Sequence, residues 1–154
     1  MNGERLTAGD ICTRVVAIAF GSTAVTEAAR VMREQHVGSL VVVDETKSGR
    51  VVVGMLTDRD IVTAVVAREL DPRTLRVEDI MTTDLVTVRA EDSLSDLLAA
   101  MQRKGVRRLP VTTAAGVLVG VVAVDDLVEL AAEQLQSIVR AIGRERKREE
   151  TMRP

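Results

Sequence analysis

Two stretches of this chain carry the same pattern in the same order, and such a repeat limits the fold more than composition does. Gly9-Asp10-Ile11-Cys12-Thr13 resembles Glu78-Asp79-Ile80-Met81-Thr82, an offset of 69 residues. At the same offset Val25, Ala28, Ala29 and Met32 match Leu94, Leu97, Leu98 and Met101. HVGSLVVVD, starting at His36, then matches GVRRLPVTT, starting at Gly105. VVVGMLTDRDIV, starting at Val51, matches VLVGVVAVDDLV, starting at Val117, now at an offset of 66. The three-residue change falls in one turn, ETKSGR in the first copy and AAG in the second. Both turns hold a glycine between β-branched runs, the mark of a hairpin. Exposed turns are also where insertions settle.

Each copy therefore reads strand, helix, strand, turn, strand, helix, with first strands expected at residues 15–19 and 85–88. The four matched apolar residues of each first helix follow i, i+3, i+4, i+7 spacing and predict one buried face. Ser93 with Asp96 caps the second of these helices; the first has Ala24 at that place, so Thr23 is expected to cap it a residue early. The first repeat takes residues 9–70 and the second 78–134, with a connector at 71–77 containing Pro72 and a helical extension and charged tail at 135–154. A unit of about 60 residues buries too little surface to stand alone. The expected fold is α+β, with mixed α/β character: two repeats packed face to face with pseudo-two-fold symmetry.

Composition narrows the function. Phe20 is the single aromatic residue, so base-stacking platforms for single-stranded nucleic acid have nothing to be built from. A formal net charge of -2 supplies no basic field for nucleic acid either. Cys12 is the lone cysteine and His36 the lone histidine, so no cysteine cluster or intramolecular disulfide is possible, and both residues read as structural. No Ser-His-Asp set, metal-ligand cluster or Walker-type loop is present, and no enzyme activity, catalytic residue, metal or required cofactor is expected. No apolar run approaches the roughly 18 residues of a membrane span, and MNGERLTAGD has no signal-like apolar stretch. A soluble cytoplasmic protein is the expectation.

The motifs resemble those of the CBS family in its tandem, or Bateman, arrangement. Four features carry the resemblance: D-I-M-T from Asp79 to Thr82, V-R-R-L-P-V from Val106 to Val111, GMLTDRD from Gly54 to Asp60, and their shared order in both copies. It covers the chain from Gly9 to about Ala132. The resemblance implies an adenosine ligand, namely AMP, ADP, ATP, S-adenosylmethionine or a dinucleotide such as NAD, lying in a cleft between repeats. It implies that one repeat supplies T-x-x-D, while the other supplies its first strand and the residues before the h-P pair.

On this chain the first such site joins Thr57, Arg59 and Asp60 with Val86, Arg107 and Arg108. A threonine at a helix start offers a hydroxyl and free backbone N–H groups to phosphate. A carboxylate one turn later, Asp60, accepts ribose hydroxyls, and adjacent arginines suit phosphate. The second, weaker site joins Asp126 with Val15, Ala17, Gly38 and Ser39; Ala123 replaces the threonine there and Asp125 adds negative charge. The same aspartates also suit a helix N-terminus on dipole grounds alone.

Beyond Asp125 the last helix is expected to run toward Ile142, with Gly143 ending or kinking it before the charge run RERKREETMRP. The resemblance implies a homodimer and an output delivered in trans to an effector protein. Two other readings remain open: a ligand-free structural or dimerisation module, and a nucleic-acid contact through the arginine-rich tail.

Overall fold

The computed structural model describes residues 5–152. The first four residues of MNGERLTAGD, and Arg153 and Pro154 of the tail, lie outside them. The chain divides into two compact units, one ending at Val122 and the other beginning at Ala123.

The first unit holds two three-stranded sheets, ordered β1-β2-β3 and β4-β5-β6. In the first repeat α1 (Ala8–Ile11) leads to β1 (Ile18–Ala19), α2 (Val25–Gln35), β2 (Ser39–Thr46), β3 (Gly49–Thr57) and α3 (Asp58–Ile61). The last of these runs directly into a π-helical turn, Val62–Val66. The second repeat follows with α4 (Val77–Ile80), β4 (Val88–Arg89), α5 (Leu94–Lys104), β5 (Arg108–Thr112) and β6 (Leu118–Ala123). β2 lies between a parallel neighbour, β1, and an antiparallel one, β3. A strand covered on both faces needs no polar alternation, and residues Leu40, Val41, Val42 and Val43 are all buried.

Pairings between the repeats come in symmetry-related couples. Thr7 bridges Ser93 while Arg76 bridges Ala24, and Thr13 bridges Val121 while Thr82 bridges Met55. Each couple is one contact seen twice at the repeat offsets. Val51 bridges Val117, its own counterpart, and so marks the pseudo-two-fold axis. The lead-in of each repeat thus pairs with the last strand of the other. Gly54 and Gly120 make this approach possible: a Cβ on Gly54 would stand 2.7 Å from Met81 Sδ, and one on Gly120 would stand 2.6 Å from the Thr13 carbonyl oxygen.

Four local expectations are corrected. The first strands are two residues each rather than 15–19 and 85–88. Thr13 and Thr82 are drawn off to the opposite repeat, and the chain rejoins its own sheet only at Ile18 and Val88. Thr23 does not cap α2; its hydroxyl accepts the Phe20 amide at 3.1 Å. The N-cap is Ala24, and the Val25 amide donates instead to the Leu75 carbonyl at 3.0 Å. On α5 Leu98 is 46% exposed, and Ala100 joins Leu97 and Met101 in the core.

The fourth correction concerns the second unit, which is built on one helix, α6 (Val124–Met152), running straight through Gly143. A single glycine costs a helix only about 1 kcal/mol, and the good helix formers on both sides outweigh it.

Candidate functional site

The Met55–Thr82 bridge assembles the candidate site. Its two backbone hydrogen bonds, 3.0 and 2.9 Å, lay the second repeat's lead-in along β3 of the first. Thr57 then lies two residues beyond Met55, and Asp84, Leu85 and Val86 follow Thr82. From the other side α5 ends at Lys104, and Gly105 closes it with φ 62°. That left-handed cap turns the chain sharply into β5. His36, the counterpart of Gly105, takes the same conformation at φ 54° without being glycine.

Between these segments lies a cavity of about 560 Å³, within the range of small-ligand sites. Thr57, Arg59, Asp60, Val86, Arg107 and Arg108 all line it. Sequence reasoning missed Lys104 and Asp84, which also line the wall. Lys104 Nζ stands 3.3 Å from the Asp84 carboxylate. The lysine had a signal, being the last helical residue before a left-handed cap that leads into the arginine pair. The wall thus carries four cationic and two anionic side chains beside the aliphatic Leu85, Val106, Leu109 and Pro110. Such a lining suits a ligand with one apolar face and one anionic end.

The start of α3 departs from expectation. Its backbone N–H groups are not free for phosphate: the Asp58 amide donates to the Gly38 carbonyl at 2.9 Å and the Arg59 amide to Asp58 Oδ1 at 2.8 Å. The Asp60 amide donates to Thr57 Oγ1 at 3.1 Å, and Asp60 Oδ2 in turn accepts the Thr57 amide at 2.8 Å. This capping box leaves Oδ1 and the threonine hydroxyl proton for other partners. An anionic group in this cavity would therefore meet side chains rather than the α3 amides.

Pro110 makes a second local difference. In the first repeat the Val41 amide donates to the Ala17 carbonyl at 3.1 Å. Pro110 and Val86 hold the corresponding places, and proline has no N–H to make that bond. The strand tolerates it because parallel pairing of β4 with β5 begins only at Val88 and Val111.

Of the second predicted set, Ser39 lines the cavity just described, beside Thr57. Val15 is 93% exposed, and Ala17 and Gly38 are half-buried. Asp126 belongs to the second unit, where its carboxylate accepts the Ala123 amide at 2.8 Å. Cys12 is half-buried, its thiol donating to the Gly9 carbonyl at 3.5 Å. Among the described residues no group of three or more His, Cys, Asp or Glu side chains could hold a metal ion. No described helix is long and apolar enough to cross a membrane.

The CBS-domain family model matches residues 8–67 and 77–133. An uncharacterised Methanopyrus kandleri protein is 31% identical over 122 residues, which are 79% of this chain and 61% of that protein. The chain thus spans less than two thirds of that relative. Hypoxic response protein 1 of Mycobacterium tuberculosis is 34% identical over 137 residues, covering 88% of this chain and 93% of its own. The crystal structure of hypoxic response protein I with two coordinated zinc ions superposes with a TM-score of 0.69 at 34% identity, over 80% of this chain and 97% of that one. The CBS domain pair of protein MJ0100, solved with 5'-methylthioadenosine and S-adenosylmethionine, superposes with a TM-score of 0.72 over 84% of this chain and 98% of its own; at 23% identity the likeness is one of fold.

Proposed function

The chain belongs to the CBS-domain family, and from that premise we propose that it is a regulatory module binding an adenine nucleotide, AMP, ADP or ATP, in the cavity at Thr57. CBS-domain pairs in general bind adenosine-containing ligands. The observation that carries the reading is the meeting, in one cavity, of Thr57, Arg59 and Asp60 from one repeat with Val86, Arg107 and Arg108 from the other.

In this reading adenine packs on the aliphatic wall, and its amine donates to the Val86 carbonyl that Pro110 cannot occupy. Asp60 Oδ1 accepts a ribose hydroxyl. Phosphates meet Arg59, Arg107, Arg108 and Lys104, so affinity rises with phosphate number. The ligand, touching both repeats, shifts their relative arrangement by its differential affinity for the two states. The module acts as a homodimer, in the cytoplasm where free nucleotides occur, and passes its output in trans to a partner protein; the reading assigns binding and no reaction.

A calorimetric and thermal-shift panel of adenosine, AMP, ADP, ATP, S-adenosylmethionine and NAD tests it. Ligand at about 100 times its dissociation constant adds about 2.7 kcal/mol of stability. Silence toward every compound at millimolar concentration would leave the ligand-free structural module as the better account.

A further inference from the structure

The family's features end near residue 133, yet α6 continues to Met152. Beside Val139, itself 67% exposed, Val128, Leu135, Ile138 and Ile142 are 59%, 63%, 57% and 49% exposed along it. With Ala131 they fall at alternating steps of three and four residues, the a and d places of a heptad repeat. A solvated helix has no use for that spacing, whereas an identical helix fits it. Charge along α6 is polarised as well. From Val124 to Gln136 the charged residues are Asp125, Asp126, Glu129 and Glu133, all acidic. From Ser137 to Met152 five are basic, Arg140, Arg144, Arg146, Lys147 and Arg148, against Glu145, Glu149 and Glu150. A parallel partner would set acid beside acid and base beside base; an antiparallel one sets each acidic half against a basic half.

We propose that the apolar stripe of α6 pairs antiparallel with the same stripe of a second copy of this chain. Antiparallel a-to-d matching places Leu135 opposite the second copy's Ile138 and Ala131 opposite its Ile142. Asp125 then falls near the second copy's Arg146 at the flanking positions. The helix is about 44 Å long at 1.5 Å per residue, so the pairing extends well past the apolar centre into the charged ends. The proposal deepens the homodimer reading by naming a surface and an orientation.

Sedimentation of the full chain at micromolar concentration, with and without Leu135→Glu plus Ile138→Glu, tests the surface. Both side chains are exposed in one copy, so the variant keeps its fold, which circular dichroism checks. The expected result is a halving of the assembly mass. An assembly whose mass the variant leaves unchanged would overturn the pairing while leaving the homodimer reading intact; a monomeric parent chain would overturn both. Orientation is read by oxidation in a Cys12→Ala background. A mixture of Ala131→Cys and Ile142→Cys chains should give the mixed disulfide several-fold in excess of either homodisulfide, and an excess of homodisulfides would mean parallel helices. Binding of the parent chain to phosphatidylglycerol vesicles, lost in the double variant with no change of mass in solution, would assign the stripe to a membrane surface and overturn the proposal.

Discussion

The Thr57 amide donates to Asp60 Oδ2 at 2.8 Å while the Asp60 amide donates to Thr57 Oγ1 at 3.1 Å, so each residue holds the other at the start of α3. The pair that lines the cavity is thereby also a helix cap, and one change at either residue acts on the fold as well as on the cavity wall. The same carboxylate-to-amide bond recurs at Asp10, Asp79, Asp96 and Asp126, at the starts of α1, α4, α5 and α6.

Asp60→Ala should therefore lower stability by about 0.5–1.5 kcal/mol through the lost carboxylate-to-amide bond of the capping box. Independently, it should weaken nucleotide binding by about 1.5–3 kcal/mol, the worth of a hydrogen bond to a charged group. Urea melts read the first effect and calorimetry on the folded variant the second. Asp126→Ala, at a cap whose threonine is already missing, should lose stability while leaving the affinity nearly unchanged. A larger affinity loss from Asp126→Ala than from Asp60→Ala would move the ligand away from this cavity.

Arg107→Ala with Arg108→Ala should weaken ATP more than AMP and AMP more than adenosine. The α3 amides are committed within the protein, so phosphate contacts are expected to fall to side chains. Salt should weaken ATP binding more steeply in the parent than in the variant. Equal losses for adenosine and ATP would show that the arginines act on the fold instead.

Pro110→Val copies the residue that the first repeat carries at the same place. It supplies the N–H that Val41 uses toward Ala17, and should engage the Val86 carbonyl. Adenosine binding is expected to fall by about 0.5–1.5 kcal/mol, the net value of one hydrogen bond, with stability kept or raised. Unchanged affinity would remove that carbonyl from the recognition scheme.

Glycine substitutions should separate by what each Cβ meets. Gly54→Ala and Gly120→Ala press on Met81 and on the Thr13 carbonyl, and each is expected to cost about 1–3 kcal/mol as overpacking. Gly143→Ala meets nothing within 4 Å and should stabilise α6 by about 0.5–1 kcal/mol. Chemical denaturation of the three variants gives the order directly.

Acid should unpick the caps. The Ser93 side-chain hydrogen bond and then the Ser93 amide hold the Asp96 carboxyl below its ordinary value of 3.8, and the Thr7 amide does the same for Asp10. A lowered folded-state pKa contributes stability that is fully present above the unfolded value and is lost as pH falls through the folded one. The melting difference between the parent and Asp96→Ala should be constant above about pH 5 and close progressively below about pH 4. A difference independent of pH across that window would exclude the ionised cap as its source.

Local patterns were legible because they report local physics. Helical spacing from Val25 to Met32, the Ser93 cap and the hairpin turns all depend on neighbours within one or two turns of chain, and so did the repeat that they compose. The six residues named for the first site do line a single cavity, since T-x-x-D and R-R-L-P each hold a fixed place in the repeat, whereas of the five named for the second site only Ser39 lines it. Tertiary structure alone decided which lead-in joins which strand, because the Thr82–Met55 pairing links positions far apart in the chain and leaves no periodic trace. It also decided that Ser39 stands beside Thr57, that Ala100 rather than Leu98 is buried on α5, and that the amides opening α3 are already taken. Each of these turns on a surface or carbonyl supplied by another segment, and a sequence states what a residue offers before it states what that residue meets.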